Sequence, residues 1–299
     1  MTRIVLLSAI ALLSPAADAA QSGIKHRFIA ADESRHQLHF VDQFDPSKDW
    51  TVPLKGNRDI RLLTRDRLLA SVPGGYREYE VRSGKMVKEV IIREVGNKKG
   101  GRKDNCWSVV RREDGHTYIG SKASIIELDE NDKEIREIKP SGGAAFRILR
   151  MTPEGHYLFS SGATTVKETD NKGVLVKEFD LSAVSPLSKK PYFALRLNNG
   201  HTVISGGLGA TVIEVDRNWN PVRKFEGKGA LPGMGLVYFA AVQILGNGNM
   251  VVVHWTGHGA NDSRKAPQLM EFDRDGRLVW QWHDPKRAGS IHGVIVIEE

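Results

Sequence analysis

Cysteine is almost absent from this chain of 299 residues, which contains one, Cys106. A single thiol forms no disulfide within the chain, so a small scaffold held together by disulfides is excluded, and stability must come from a hydrophobic core. We interpret Cys106 as a small buried apolar side chain, because the sequence shows no base that would activate it as a nucleophile.

Long apolar runs are also missing, apart from a short one at the N-terminus. Residues 4–13 are apolar, follow one positive charge and are too few to span a membrane. Small residues come next, including Ala17-Asp18-Ala19, and this order is typical of a secretory signal peptide. We therefore expect cleavage of residues 1–20 near Ala19 or Ala20, a periplasmic or secreted location, and no membrane span.

Helical periodicity is missing as well, and short β-type runs separated by turn residues take its place. In residues 192–225 four such runs follow one another, with Asn198-Asn199-Gly200 between the first two and a Gly-rich connection after the second. Similar units recur along the chain. A glutamate in the third run returns at intervals of roughly 40 to 57 residues, the range of four-stranded propeller blades: Glu80, Glu127, Glu168, Glu214 and Glu271.

A sixth unit is divided between the two ends of the chain. Residues 25–30, 37–42 and 50–54 are predicted as strands two to four of a blade, and residues 291–297 as a first strand without successors. Joining them closes a ring and removes two exposed sheet edges. We predict that residues 21–299 form one all-β domain, a six-bladed β-propeller of four-stranded antiparallel blades closed by the C-terminal strand.

Paired strands joined by an Asp-x-x-Gly turn and ending in tryptophan, such as residues 269–280, resemble the repeats of PQQ-type quinoprotein propellers and of bacterial arylsulfotransferase propellers. The resemblance covers nearly the whole mature chain and implies the same fold. It also implies two enzyme classes: a periplasmic oxidoreductase with PQQ in the channel, or a sulfuryl transferase with His254 or His292 as nucleophile. The adjacent cysteine pair and the Ca²⁺-binding acids of quinoprotein dehydrogenases are not visible, and the arylsulfotransferase catalytic motif cannot be matched.

Charge is distributed unevenly between the two predicted faces of the ring. The net charge of +7 favours anionic partners without selecting nucleic acid. Loops on the face where the inner strands begin, called the top face, are long and largely basic, whereas many turns of the opposite face are short and acidic. Long loops on a rigid scaffold often carry function, but a solvated basic rim would serve solubility alone. The basic residues of the top loops are Lys98, Lys99, Arg102, Lys103, Lys189, Lys190, Lys228, Arg264, Lys265, Lys286 and Arg287.

Residues at the starts of the inner strands should line the top of the central channel. Aromatic rings beside arginines and histidine suit a flat or saccharide ligand, although packing between blades would also bury such rings. His254 and His258 have the spacing of two metal ligands on a helix, but no carboxylate or cysteine completes a site, so no metal is predicted. The predicted ligand-binding residues are Arg58, Trp107, Arg147, Tyr192, Tyr238, His254, His258 and His292.

The favoured function is binding of a small anionic or saccharide-like molecule at the top of the channel. We expect the protein to be an exported monomer that does not bind nucleic acid. The alternatives are the two enzyme classes named above, with PQQ as the possible cofactor, or a hydrolase or lyase that uses His292 with an arginine. No Gly-x-Ser-x-Gly, P-loop or His-Glu-x-x-His motif is present. Catalytic residues therefore cannot be named from the sequence, and whether the protein is an enzyme stays open.

Overall fold

The computed structural model describes residues 23–56, 58–92, 107–121, 124–141, 147–259 and 261–298. Within these ranges the chain forms six antiparallel sheets, and almost all of its regular structure is β-strand. The sheets are the blades of a propeller, numbered here from the blade that joins the two ends of the chain. The predicted six-bladed all-β architecture is therefore confirmed.

The first three blades use the N-terminal part of the chain and one strand from its end. Blade 1 contains β25 (Ile291–Ile297), β1 (Arg27–Asp32), β2 (Gln37–Asp42) and β3 (Trp50–Pro53). Blade 2 contains β4 (Ile60–Thr64), β5 (Arg67–Val72), β6 (Gly75–Glu80) and β7 (Met86–Ile91). Blade 3 contains β8 (Ser108–Arg111), β9 (Thr117–Gly120), β10 (Ile125–Leu128) and β11 (Glu134–Ile138).

The other three blades follow in chain order. Blade 4 contains β12 (Leu149–Met151), β13 (Tyr157–Ser161), β14 (Thr165–Thr169) and β15 (Leu175–Asp180). Blade 5 contains β16 (Phe193–Arg196), β17 (Thr202–Ser205), β19 (Thr211–Val215) and β20 (Pro221–Glu226). Blade 6 contains β21 (Tyr238–Ile244), β22 (Met250–Trp255), β23 (Leu269–Phe272) and β24 (Leu278–Trp282), and a short strand, β18 (Gly207–Leu208), pairs with its inner edge.

Helices are short and lie in the connections. The described residues contain one α-helical turn, α1 (Gly227–Ala230), and 3₁₀ turns at Pro46–Lys48, Leu181–Ala183 and Asp262–Arg264.

The C-terminal strand closes the ring, as predicted. β25 pairs antiparallel with β1 from Arg27↔Ile297 to Asp32↔Ile291. The inner strands β25, β4, β8, β12, β16 and β21 contact one another in that order, and β21 contacts β25 again. Their first residues therefore meet at one end of a central channel.

Burial follows the position of each strand within its blade. In blade 4 the second and third strands are almost wholly buried, whereas the outer strand β15 is mostly exposed. The largest hydrophobic cluster joins blades 5, 6 and 1, and includes Phe28 from β1, Phe239 from β21 and Ile291 from β25. A second cluster joins blades 1 and 2 and includes Ile29 from β1 and Ile60 from β4. The N-terminal blade is thus held by side-chain packing on both sides as well as by the β1–β25 ladder.

The repeated glutamate has a defined place in the blade. In five blades a β-bulge directly follows a glutamate of the third strand: Glu78, Glu127, Glu168, Glu214 and Glu271. The sequence pattern assigned Glu80 to this position in blade 2, which is wrong by two residues. A shift of two keeps the side chain on the same face of a strand, so the periodicity alone does not distinguish Glu78 from Glu80.

In three blades a histidine directly before the second strand contacts the repeated glutamate of the third strand. His116 Nδ1 lies 3.0 Å from Glu127 Oε1, His156 Nδ1 lies 2.8 Å from Glu168 Oε1, and His201 Nδ1 lies 2.7 Å from Glu214 Oε1. Each pair ties the second strand of a blade to the third. Their repetition in blades 3, 4 and 5 indicates a structural role.

The Gly-rich connection at residues 206–209 does more than join two strands. Its Gly207-Leu208 segment forms β18 and pairs with Phe239 and Tyr238 of the next blade. Gly207 has φ +66°, and a Cβ there would lie 2.1 Å from the carbonyl oxygen of Lys190. Glycine is therefore required for the close approach that brings Leu208 and Lys190 to the top of the channel.

Candidate functional site

A cavity of about 310 Å³ opens at the top of the central channel, where the inner strands begin. We call it the mouth cavity. Every blade contributes to its wall: His292 from blade 1, Arg58 from the start of blade 2, Trp107 from blade 3, Arg147 from blade 4, and Tyr238 with Trp255 from blade 6. Lys190 and Leu208 from blade 5 and the loop residue His258 complete the lining.

Arg58 is held on one side of the cavity by a carboxylate and an indole ring. Its Nη2 donates to Glu33 Oε1 at 2.8 Å, and its guanidinium carbon lies 4.7 Å from the centre of the Trp107 ring. Glu33 follows β1, and its backbone N–H donates to the carbonyl of Ser290 at 3.0 Å. The closed blade 1 therefore fixes the carboxylate that orients Arg58 and offsets its charge.

Arg147 and Lys190 have no such compensation. Among the described residues neither side chain forms an ion pair or a hydrogen bond. The backbone of Lys190 is anchored, because its carbonyl accepts from the Tyr238 hydroxyl at 3.0 Å. Burial raises the pKa of Tyr238 to about 12 despite the opposing charge of Arg147, so this hydroxyl stays protonated at neutral pH. Two cations that no described residue compensates thus line the mouth cavity.

His292 lies at the inner wall and is packed between aromatic rings. Tyr192 stacks on it at 5.2 Å between ring centres, and Trp255 lies tilted at 5.8 Å. Burial lowers the pKa of His292 well below its ordinary value, and the charges of Arg58, His258 and Arg147 lower it further. Its imidazole is therefore neutral at pH 7.

A carboxylate faces the neutral ring of His292. Glu33 Oε2 lies 3.1 Å from His292 Nδ1 and 3.5 Å from Nδ1 of the exposed His258. Glu33 Oε2 and His292 Nδ1 are buried, and neither has an aligned hydrogen-bond partner among the described residues. The pair is thus close enough for a hydrogen bond but not aligned for one, and a small reorientation of either side chain would form it.

Six of the eight residues predicted to bind ligand line the mouth cavity: Arg58, Trp107, Arg147, Tyr238, His258 and His292. Tyr192 lies behind this wall, where it is fully buried, stacks on His292 and reaches the carbonyl of Arg58 with its hydroxyl at 3.4 Å. It supports the wall without facing the cavity.

His254 has a different environment from that of His258. Its Nδ1 donates to the carbonyl of Pro267 and its Nε2 accepts from the backbone N–H of Val237, both at 3.0 Å. Burial lowers its pKa to about 4. With both nitrogens engaged inside blade 6, His254 is not placed to bind a metal together with His258. The described residues contain no group of three His, Cys, Asp or Glu side chains that could hold a metal ion.

Four residues of the site were not among the predicted ligand contacts: Lys190, Leu208, Trp255 and Glu33. Lys190 belonged to the predicted basic loops, and Trp255 adjoins His254, so its side chain points to the opposite face of the strand. If the orientation of β22 had been known, this alternation would have placed Trp255 instead of His254 in the predicted cavity wall. Glu33 carried no signal, because its role depends on pairing between the two ends of the chain.

Only part of the basic rim remains uncompensated. Lys265 pairs with Asp262 at 2.6 Å and Arg287 with Asp49 at 2.7 Å. Cys106 and four further basic residues of the predicted top loops lie outside the described residues: Lys98, Lys99, Arg102 and Lys103. No helix in the described part of the chain is long and apolar enough to cross a membrane.

Structural comparison finds the same fold in several solved proteins. A protein of unknown function from Bacteroides caccae has a TM-score of 0.74 at 18% identity, over 92% of this chain and 100% of its own. A catalytically inactive histidine-to-alanine variant of virginiamycin B lyase from Staphylococcus aureus, solved with quinupristin, has a TM-score of 0.54 at 11% identity, over 83% of this chain and 77% of its own. The extracellular domain of a proposed one-component system from B. thetaiotaomicron has a TM-score of 0.56 at 12% identity, over 92% of this chain and 40% of its own.

These similarities establish a fold and not a family. No family model and no curated protein sequence matches the chain. At such identities a shared propeller does not carry a shared activity, because one fold hosts many functions. The mouth cavity is therefore the feature from which a function can be inferred.

Proposed function

We propose that this protein binds a small anionic ligand with a flat or ring-shaped body in the mouth cavity. The observation that carries the proposal is the convergence of Arg58, Arg147 and Lys190 from three blades on one cavity that is also lined by three aromatic rings. Since only Arg58 has a carboxylate partner among the described residues, the cavity wall has an excess of positive charge.

Charge and shape select different parts of such a ligand. A carboxylate, sulfate or phosphate group would take two parallel hydrogen bonds from the guanidinium of Arg147. Trp107, Tyr238 and Trp255 offer ring faces and edges to an aromatic ring or to the apolar face of a sugar. At about 310 Å³ the cavity lies at the small end of the range for ligand sites, roughly 300–1,000 Å³. We therefore favour a ligand with one ring or a compact ring system.

The ligand class can be tested by a thermal-shift screen. Probes are aromatic carboxylates, aryl sulfates, sugar acids, sugar phosphates, and PQQ with and without Ca²⁺. A ligand that binds only the folded protein raises the melting temperature by mass action. Neutral sugars of matched size are the controls. A rise in melting temperature with these sugars alone would contradict an anionic ligand and indicate a neutral saccharide.

The role of the cations can be tested by isothermal titration with any hit. We expect Arg147→Gln to raise Kd by about tenfold or more, because losing a charge-assisted hydrogen bond costs roughly 1.5–3 kcal/mol. Lys189→Gln is the matched control, because it removes an exposed charge beside the cavity rather than in its lining. Affinity should also fall as salt is raised. Affinity that is insensitive to Arg147 and to salt would contradict the proposal.

A catalytic use of the same cavity is the second candidate, and the His292–Glu33 pair is the observation that favours it. A neutral imidazole in a cavity wall can accept a proton from a bound ligand, and a carboxylate 3.1 Å from its other nitrogen would stabilise the imidazolium that forms. Hydrolase and lyase chemistry both use such a base. The quinoprotein and arylsulfotransferase alternatives have no structural observation in their favour beyond the fold.

Catalysis and binding are separated by following the fate of the bound ligand. Mass spectrometry after prolonged incubation should show a product if the cavity is catalytic. His292→Gln should then abolish product formation while affinity stays within severalfold of wild type. An unchanged ligand after incubation with the wild-type protein, or equal turnover by the variant, would leave binding as the function.

A further inference from the structure

A second cavity of about 210 Å³ lies deeper in the central channel, between inner strands of five blades. We call it the channel cavity. Its wall is largely apolar and comes from β4, β12, β16, β21 and β25, with Ile60, Phe193 and Val294 among the lining residues. Arg58 lines both this cavity and the mouth cavity, so the two adjoin. The polar side chains of its wall are Arg58, Asp59, Arg61, Arg150 and Gln243.

The one carboxylate in this wall is already fully used. Arg150 donates from Nη1 to Asp59 Oδ2 at 2.9 Å and from Nη2 to Asp59 Oδ1 at 2.8 Å. Asp59 also accepts from the hydroxyl of Ser108 and from the backbone N–H of Val109 at 3.1 Å. Both side chains are almost completely buried. Asp59 and Arg150 therefore form a compensated pair with no charge to spare.

Two of the remaining polar side chains in the wall are also engaged. Arg58 binds Glu33, as described above. Gln243 accepts from the backbone N–H of Val296 at 2.7 Å and donates to the carbonyl of the same residue at 3.0 Å. Only Arg61 is left, and among the described residues its side chain has no hydrogen bond and no ion pair.

Arg61 therefore places in the channel a positive charge that no described residue compensates. Its burial and the neighbouring charge of Arg150 lower its pKa to about 10, although Asp59 opposes the shift. The guanidinium is still a cation at neutral pH. The Arg61 side chain is half-buried, so its charge is only partly solvated, and an anion that reaches the guanidinium would gain charge-assisted hydrogen bonds from it.

We propose that the channel cavity is a second anion site, in which the guanidinium of Arg61 binds a small inorganic anion such as chloride, sulfate or phosphate. The planar fork of arginine matches the oxygens of sulfate and phosphate. Apolar walls strengthen the attraction because the local dielectric is low. The site is distinct from the mouth cavity, so it does not depend on the function proposed above.

The site can be tested with anion exchange at constant ionic strength. Sodium gluconate, the salt of a large and weakly coordinating organic anion, is replaced stepwise by sodium chloride, sulfate or phosphate while the melting temperature is followed. The wild-type protein should melt at higher temperature with the small anions. Isothermal titration should show a Kd raised about tenfold or more in Arg61→Gln. Arg65→Gln, an exposed arginine of the same blade, is the matched control and should behave as wild type.

Two further measurements keep the test decisive. Arg147→Gln should keep the response to small anions, whereas loss of the response in that variant would place the anion in the mouth cavity. If Arg61→Gln does not fold, chloride NMR of the wild-type protein replaces it: the chloride line should broaden, and sulfate should remove the excess broadening. A wild-type melting temperature and line width that respond only to ionic strength would overturn the proposal, as would an equal response in folded Arg61→Gln.

Discussion

Burial gives His254 its structural role. The two ring nitrogens connect Pro267 with Val237 inside blade 6, and the apolar surroundings lower its pKa from 6.5 to about 4. The neutral ring needed for these two hydrogen bonds is thus the form that the folded protein favours. His116 shows the opposite behaviour, because its hydrogen bond to Glu127 raises its pKa. Folding therefore lowers the pKa of one histidine of this propeller and raises that of another, so their effects on stability at low pH have opposite signs.

We predict that His254 makes the protein less stable as pH falls from 6.5 to 4. Its pKa is lower in the folded state, so the unfolded state binds more protons in this window and gains stability from acid. The contribution is complete above pH 6.5 and decreases by about 1.4 kcal/mol per pH unit towards pH 4. Urea unfolding at a series of pH values should show a steeper loss in the wild-type protein than in His254→Gln.

Comparison of the wild-type protein with His254→Gln removes the opposite contribution of His116 and the contributions of the carboxylates, because these are common to both proteins. Equal slopes for the two proteins would show that folding does not lower the pKa of His254.

At the scale of the strand, β25 is the element on which ring closure depends. It forms the inner strand of blade 1 and contacts β4, β21 and β22 in the neighbouring blades. Ile291, Val294 and Val296 are buried. It also carries His292, so the element that closes the ring is part of the mouth cavity.

We predict that deletion of residues 290–299 prevents stable folding. Each buried aliphatic side chain contributes about 1.5–3 kcal/mol, so losing three of them approaches the margin of roughly 5–15 kcal/mol that keeps a domain folded. The deletion also leaves β1 with an open edge, which favours aggregation. Circular dichroism melting and light scattering measure both effects.

Deletion of residues 298–299 is the control, because it leaves all of β25 in place. Adding a synthetic peptide of residues 290–299 to the longer deletion should restore part of the lost stability. A protein without β25 that is soluble and monomeric and melts at the wild-type temperature would contradict the closure.

Strand-level features were predictable where a pattern is local. The bounds of β25 and β2 follow from continuous apolar or alternating runs between turn residues, and they agree with the structure. Glu78 and β18 were missed for a different reason. The bulge that defines the place of Glu78 and the pairing that makes Gly207-Leu208 a strand both depend on a neighbouring strand, and a single sequence does not show pairing.

The candidate site was predictable in position and less so in detail. Inner-strand starts must converge in a closed ring, which is why Arg58, Trp107 and Arg147 come together. Which side chain of a neighbouring pair faces the cavity depends on the rotation of the strand, and this decides between His254 and Trp255. Arg61 was missed because its importance lies in the absence of a nearby partner in the described structure, and that is a three-dimensional property.

At the scale of the molecule, the described charges near the channel axis are not balanced. The acids Glu33 and Asp59 are each matched by an arginine, Arg58 and Arg150. Arg147 and Lys190 at the mouth and Arg61 below it remain uncompensated among the described residues. The described residues thus place an excess of positive charge along the axis, which would concentrate anions at both proposed sites.

We predict that the whole chain is exported. Residues 1–22 lie outside the described residues, but their sequence has the order of a signal peptide: one basic residue, a short apolar run and small residues ending at Ala19-Ala20. Expression of the full chain in a Gram-negative host should yield a periplasmic protein, and N-terminal sequencing should begin at Ala20 or Gln21.

Replacing Leu6 and Leu7 by arginine should retain the protein in the cytoplasm with its N-terminus uncleaved, because a charged run no longer forms the apolar segment of a signal peptide. A soluble cytoplasmic wild-type protein that keeps Met1 would contradict export, and the two anion sites would then face cytoplasmic rather than extracytoplasmic ligands.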